Sequence, residues 1–514
     1  MSLPSPAGHN SGADTAVRQP DVAPETVSAA EQIGQSLAAG GLLMILGRLA
    51  VLPAGLVASV FLARVLGPAD FGVYSVAMSI ITWAQMTISM LLNRASVKLI
   101  AETTEWQPVA TALTQIQLFL GIAAGALAFL AAPALADSLR APELEPVLRV
   151  FSAAIPMSAL AQAYRNVLNG RRAFRRSALL PVVSEISRLL LLVLLVGIGL
   201  GMTGAALATI GASCAGLWVA RRSLDLRLWR RVHIPRRRLL RYSLLLFLDT
   251  MSRRLHKRID LWAVQALAGA TAAGHYGAAR SFDSAGQVFS RAFSPLVLAG
   301  VSDAWEHGRR DEARAIMRQG LRLTLWLLPF AALGAGAAPA LISLIFGASF
   351  GPAAPLLVWV SFSIVAAVIM SVAAAMLAAV GRPGSTFAFS GPLLVLALAG
   401  HWILVPRVGA VGAAATTALA TWAVAAAMMI AIRRWFQTGP TLGTVLRIVA
   451  TSAVAYALSS AWQAPGLWLV PQLLALCGVV LLILFLLGEA DQRDLRFALS
   501  LLKDFRNLTA AETI

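Results

Sequence analysis

The residues of this chain that could do chemistry are charged groups set inside otherwise apolar segments. Between 243 and 268 stand Asp249, Arg253, Arg254, His256, Lys257, Arg258 and Asp260; between 273 and 300 stand Arg280, Asp283, Gln287 and Arg291; Arg48 lies alone in an earlier segment. A period of 3.6 residues puts Asp249, Arg253, Lys257 and Asp260 on one stripe with His256 beside it, and Arg280, Asp283, Gln287 and Arg291 on another. Asp249 with Arg253, His256 with Asp260, Arg280 with Asp283, and Glu185 with Arg188 are one turn apart and can neutralise one another. Arg48, Arg254, Arg258 and Arg291 have no acid so placed, and Lys257 reaches only Asp260, which His256 also claims, so cations are in surplus. Surplus cations at membrane depth suit an anionic ligand. A guanidinium suits a phosphate, because its planar fork offers paired hydrogen bonds and stays charged when desolvated.

That chemistry is binding rather than catalysis. The six histidines (His9, His233, His256, His275, His307 and His401) are scattered, HExxH is absent, and no carboxylate pair at an aqueous face suits acid–base work. Cys214 and Cys477 both sit in apolar segments, with no spacing for a disulfide framework or a metal site. No enzyme activity, cofactor or metal is expected.

The elements that must position these charges are membrane helices. The 514 residues are 58% hydrophobic and 13% charged, with a mean hydropathy of +0.75, which excludes a soluble globular class. Segments long enough to span occur near 40–65, 72–93, 109–136, 146–168, 177–199 and 202–220, then 243–268, 273–300, 323–346, 354–379, 386–405, 409–432, 446–463 and 467–488, fourteen in all. In a soluble protein the net charge of +18 would point to nucleic acid. Here the arginines cluster on alternate connections: Arg94 and Lys98; Arg171, Arg172, Arg175 and Arg176; the run from Arg221 to Arg241; Arg309 to Arg322; Arg433 and Arg434. The other side has little beyond Arg64, Arg140 and Arg407. The bias predicts an inner-membrane protein with both termini cytoplasmic, and membrane lipids rather than nucleic acid as surroundings.

The chain also repeats itself. LARVLGPADFGVYSVAMS (62–79) aligns with VQALAGATAAGHYGAARS (264–281), bringing Gly67 onto Gly269, Gly72 onto Gly274 and Tyr74 onto Tyr276. GMTGAALAT (201–209) aligns with GAVGAAATT (409–417), and NGRRAF (169–174) with VGRPGS (380–385) at an offset of 211. Ordered matches predict two six-helix lobes of one orientation. The expected division is a disordered cytoplasmic tail at 1–37, an N-lobe at 38–222, a basic cytoplasmic linker at 223–242 and a C-lobe at 243–434; two further spans follow at 435–488 and an amphipathic cytoplasmic tail at 489–514. The stretch after Asp303, with Trp305 as anchor, is expected to form an interfacial amphipathic helix.

RVLGPADFGVYSVAMS (64–79), AGATAAGHYGAARSF (268–282) and LVPRVGAVGAAATTALAT (404–421), in this order, resemble bacterial polysaccharide-export flippases. These Wzx-type O-antigen and exopolysaccharide translocases belong to the multidrug/oligosaccharidyl-lipid/polysaccharide (MOP) exporter superfamily. The resemblance implies an all-α, MATE-like fold: two six-helix lobes as parallel repeats around a cavity lined by spans 1, 2, 7 and 8, plus two C-terminal helices. It further implies an undecaprenyl-diphosphate-linked oligosaccharide as substrate, passed from the cytoplasmic to the periplasmic leaflet. Polysaccharide polymerase or export machinery would be a partner.

The diphosphate-binding candidates are then Arg48, Arg254, Lys257, Arg258, Arg280 and Arg291; Asp249, Arg253, His256, Asp260, Asp283 and Gln287 are possible cavity partners. Two other functions stay open: a cation-coupled multidrug antiporter, which would want acids rather than Arg48 in its cavity, and a membrane polymerase or glycosyltransferase, which would usually want a long extracytoplasmic loop. The glycan is not legible.

Overall fold

The computed structural model describes residues 24–224, 226 and 258–489. Among the described residues every regular element is a helix, as expected where lipid offers no partner to backbone N–H and C=O groups. The N-lobe comprises α1 (Pro24–Glu102), α2 (Trp106–Ser138), α3 (Leu144–Ser152), α4 (Ala154–Gly170), α5 (Phe174–Leu195) and α6 (Gly201–Ser223). The C-lobe comprises α7 (258–268), α8 (Ala270–Arg280), α9 (Asp283–Glu306), α10 (Arg310–Leu325), α11 (Leu327–Gly336), α12 (Ala338–Phe346), α13 (Ala354–Ala379), α14 (Pro383–Val408) and α15 (Ala410–Phe436). Two further helices, α16 (Leu442–Ala461) and α17 (Leu469–Leu486), lie against it. There Gly336 lets α11 approach the backbone of Tyr456, and Ser459 donates to the Leu333 carbonyl at 2.8 Å.

Backbone angles test the repeat directly. Gly67 (φ 74°, ψ 174°) breaks α1, and Gly269 (φ 87°, ψ 176°) separates α7 from α8 in the same conformation. Gly201 (φ 52°, ψ −136°) and Gly409 (φ 63°, ψ −146°) agree equally well, each opening the second helix of a hairpin. Both pairs occupy a region closed to residues with a Cβ, so a shared glycine here is a shared turn. The third match holds less closely. Arg172 (φ 58°) and Gly381 (φ 77°) carry the turn, so the structural offset is 209 rather than 211.

Among the described residues nine helical stretches are long and apolar enough to span, or ten if the pair bent by 67° between Arg310–Gly336 and Ala338–Phe346 counts as one. Two of the nine, Ala54–Ser89 and Phe174–Ser223, contain the breaks at Gly67 and at Gly199–Gly201. The short α8 and the polar α9 fall outside the count, and most of the expected span 243–268 lies outside the described residues, so this count does not test the full fourteen. Span boundaries also shift: 146–168 is the two helices α3 and α4, and 273–300 is α8 and α9 parted at Ser281–Phe282. The interfacial helix expected after Asp303 is divided at Gly308 (φ 73°), its first part ending α9 and its second opening α10.

At the end of the bundle opposite Gly67 and Gly269, guanidinium groups cover tryptophan rings: Arg171 over Trp106 (4.8 Å), Arg222 over Trp218 (4.3 Å), Arg310 over Trp305 (3.5 Å) and Arg382 over Trp435 (5.3 Å). The pairs set amphipathic rings and cations at one level, as a membrane–water interface favours.

Candidate functional site

The two lobes meet at the Gly67/Gly269 end. A Cβ added to Gly72 would lie 1.9 Å from the Ala270 carbonyl oxygen, and one added to Gly274 would lie 1.9 Å from that of Pro68. Pro68 and Ala270 are themselves repeat counterparts, so the two helices cross on the pseudo-twofold axis with backbone against backbone. Around the crossing, Arg64 Nε donates to the Ile345 carbonyl at 2.9 Å and its Nη2 to that of Leu344, tying α1 to the last carbonyls of α12. Trp262 Nε1 on α7 donates to Ser79 Oγ on α1 at 2.7 Å, and the Trp83 and Trp262 rings meet edge-on at 6.0 Å.

About 16 Å along the α8 axis from Gly269, at 1.5 Å per residue, stands Arg280. Its guanidinium is held on two sides. Nη1 bonds Asp260 Oδ2, while Nη2 and Nε donate to Asp283 Oδ2 at 2.8 and 3.0 Å. Asp260 on α7 is 1% exposed and also accepts the Tyr276 hydroxyl at 3.0 Å and the Leu261 amide at 2.7 Å. The side chains of Arg280 and Asp283 are 22% and 30% exposed, so this pair is reachable where Asp260 is not. The hairpin about Gly269 explains the meeting, since Asp260 precedes that glycine by about as many residues as Tyr276 and Arg280 follow it.

The stripe continues outward along α9. Arg291 Nη2 donates to Gln287 Oε1 at 3.0 Å, and both residues are exposed, whereas Gly286, Val297, Val301 and Ala304 turn toward the C-lobe interior. The arrangement can hold an anion: a line of cationic and amide groups leads to a guanidinium anchored from behind.

In the N-lobe, Tyr74 lies beside Arg188, which is paired with Glu185 through Nε at 3.2 Å and through Nη2. Tyr74 and Tyr276 are repeat counterparts, so each lobe sets a tyrosine against an arginine–carboxylate pair. The ions come from α5 in one lobe and from α7, α8 and α9 in the other.

The structure therefore brings Arg280, Asp260 and Asp283 together and pairs Arg291 with Gln287. Arg258 is half-buried at the start of α7. Arg48 is on α1, with its side chain outside the description, and Asp249, Arg253, Arg254, His256 and Lys257 lie outside the described residues. The expected pairs Arg280–Asp283 and Glu185–Arg188 form. Asp260, expected beside His256, is bound by Arg280 and Tyr276. Sequence reasoning missed that contact, the Arg64 tie and His401, which is 2% exposed on α14 close to Asp260 and Arg280. The Tyr74–Tyr276 match was the signal that could have found the first.

A family model described as polysaccharide biosynthesis protein matches residues 37–298. Succinoglycan biosynthesis transport protein ExoT of Rhizobium meliloti (strain 1021) is 29% identical over 147 residues; the match covers 27% of this chain and 28% of that relative, so this chain spans little more than a quarter of the relative's length. A lipid II flippase, MurJ, in an inward closed conformation superposes with a TM-score of 0.74 at 16% identity, over 88% of this chain and 99% of that one. An inward-facing multidrug resistance MATE family transporter of the MOP superfamily does so with a TM-score of 0.66 at 15% identity, over 80% and 99%. At such identities the likeness is one of fold. These relatives are named as transporters or a flippase, none as an enzyme.

Proposed function

The chain belongs to that polysaccharide biosynthesis protein family, and from this membership we propose that it is a flippase for a polyprenyl-diphosphate-linked oligosaccharide. The observation that carries the reading to residues is Arg280, a guanidinium anchored by a buried carboxylate at mid-depth, with Arg291 and Gln287 leading to it. Lobes closed at Gly72–Gly274 leave entry to the opposite end, and the Arg–Trp pairs and basic connections there support reading that end as the cytoplasmic one. On this reading the protein sits in the bacterial inner membrane. The diphosphate enters between the lobes, the prenyl tail stays in lipid, and rocking of the lobes presents the sugars to the periplasm. A membrane potential negative inside favours outward passage of an anion by about 2.3 kcal/mol per charge per 100 mV if the full field is crossed.

The test is genetic and chemical. A strain without the protein should accumulate an undecaprenyl-diphosphate glycan on the cytoplasmic leaflet. An Arg258→Glu/Arg280→Glu variant expressed at the normal level should fail to clear it. Normal glycan-lipid turnover together with new drug sensitivity would overturn the flippase in favour of a cation-coupled efflux antiporter.

A further inference from the structure

The two carboxylates on Arg280 are not equivalent. Asp260 is enclosed, and both of its oxygens are used: Oδ1 by the Leu261 amide, Oδ2 by Tyr276 and Arg280. Asp283 is nearly a third exposed and holds Arg280 through Oδ2 alone, yet it takes both the Nε and the Nη2 hydrogens. That Nε/Nη2 edge is the side-on face by which a guanidinium grips two oxygens of one phosphate. With Asp283 in place the edge is filled. The three groups together also carry one negative charge more than positive, which repels an incoming diphosphate.

We propose that Asp283 is a placeholder for the substrate's phosphate: it occupies the Nε/Nη2 edge of Arg280 while the carrier is empty, is displaced when the diphosphate binds, and returns to expel it. The inference rests on the flippase reading and deepens it, giving one residue control of how tightly the anion is held. Asp283 has somewhere to go. It is the first residue of α9, directly after the break at Ser281–Phe282, and the unpaired amides of a 24-residue helix favour a carboxylate at that end. Asp260 meanwhile keeps Nη1 and so holds the guanidinium in position. A carrier gains from such a device because a ligand held only by attraction is released slowly, while an internal competitor of like charge lowers the affinity it must escape from.

The experiment uses the full chain in lipid nanodiscs with geranylgeranyl diphosphate as probe and geranylgeraniol as the uncharged control. Binding is measured for the wild type and for Asp283→Asn, Asp283→Ser, Asp260→Asn and Arg280→Gln, each checked for monodispersity and melting temperature. Turnover of lipid-linked glycan is measured in cells. Asp283→Asn should bind the probe about tenfold more tightly and turn over more slowly, the split expected when release has lost its competitor. Asp283→Ser should shift the same way and serves if the amide variant fails to fold. Asp260→Asn and Arg280→Gln should bind more weakly than the wild type. Unchanged or weaker binding in both Asp283 variants, with Arg280→Gln still losing affinity, would overturn the placeholder and leave the flippase standing. Full binding by Arg280→Gln would overturn it too, by removing Arg280 from the phosphate. A wild type that prefers the diphosphate no more than the alcohol would bring down the flippase reading itself.

Discussion

Asp260 is a carboxylate that water scarcely reaches, and three donors compensate its charge: the Leu261 amide, the Tyr276 hydroxyl and the Arg280 guanidinium. Hydrogen bonds to a charged group are worth about 1.5–3 kcal/mol each, and a buried ion that loses its partner costs more than the pair contributed. Asp260→Asn should therefore lower stability by about 2–3 kcal/mol, and Tyr276→Phe, which leaves two donors in place, by about 1.5 kcal/mol. Thermal unfolding of the purified protein, followed by loss of the monodisperse peak, checks both; equal melting temperatures in all three proteins would refute the account. The cluster shows what spacing can and cannot tell. Arg280 and Asp283 lie three apart in the sequence, the last residue of α8 and the first of α9, so their pairing is legible from spacing alone. Asp260 and Arg280 are separated by a reversal, and a residue pair across a hairpin becomes visible only once Gly269 is known to be the turn.

The turn glycines and the crossing glycines constrain their helices for different reasons. Gly67 and Gly269 have positive φ with open space where a Cβ would point, so alanine there meets no neighbour and adds backbone strain alone, about 1–3 kcal/mol. Gly72 and Gly274 have helical backbones, but their missing Cβ is filled by a carbonyl of the other lobe, and backbone cannot step aside as a side chain can. Gly72→Ala and Gly274→Ala should each force the lobes apart at this end, with a larger loss of glycan transport than Gly67→Ala or Gly269→Ala. Transport assays on the four variants at matched expression give the ranking, and turn variants as damaging as crossing variants would contradict it. The repeat motif thus carried two kinds of information. The repeat aligned Gly67 with Gly269 and Gly201 with Gly409, and the matching angles make each aligned pair a shared turn. That Gly72 and Gly274 touch each other was hidden, because an alignment places them in equivalent positions without saying that the axis runs between them. The divided helices α3–α4 and α8–α9 were hidden too, since hydropathy averages over a break that leaves composition unchanged.

At the scale of the molecule, alternating access requires one end to open as the other closes, and the closed end here has an identifiable tie. Arg64 reaches from the N-lobe to the carbonyls of Leu344 and Ile345, the negative end of α12 in the C-lobe. His275 on α8 approaches the Ser349 carbonyl at 3.2 Å and packs edge-on against Phe350, which also meets Phe71 of the N-lobe. The apolar contacts favour closure without direction; the arginine gives it register, because a guanidinium on helix-terminal carbonyls is satisfied in one relative position of the lobes. A cation at a helix C-terminus contributes from about 0.3 to 2 kcal/mol depending on exposure. Arg64 is exposed but makes two bonds, so its loss should cost about 1–2 kcal/mol, a shift of roughly 5- to 30-fold in the ratio of closed to open molecules. Spin labels at Asp70 and Gly351 can read that ratio, since both positions are exposed, they lie on opposite lobes, and Gly351 has open space for a side chain. Cys214 and Cys477 must first be replaced, both being free thiols. In Arg64→Ala the long-distance fraction should grow by that factor, and Arg64→Lys, which keeps the charge but loses the fork, should fall between. An unchanged distance distribution in Arg64→Ala would mean that the glycine crossing and the aromatic contacts hold the end shut by themselves, and that the arginine only caps its helix.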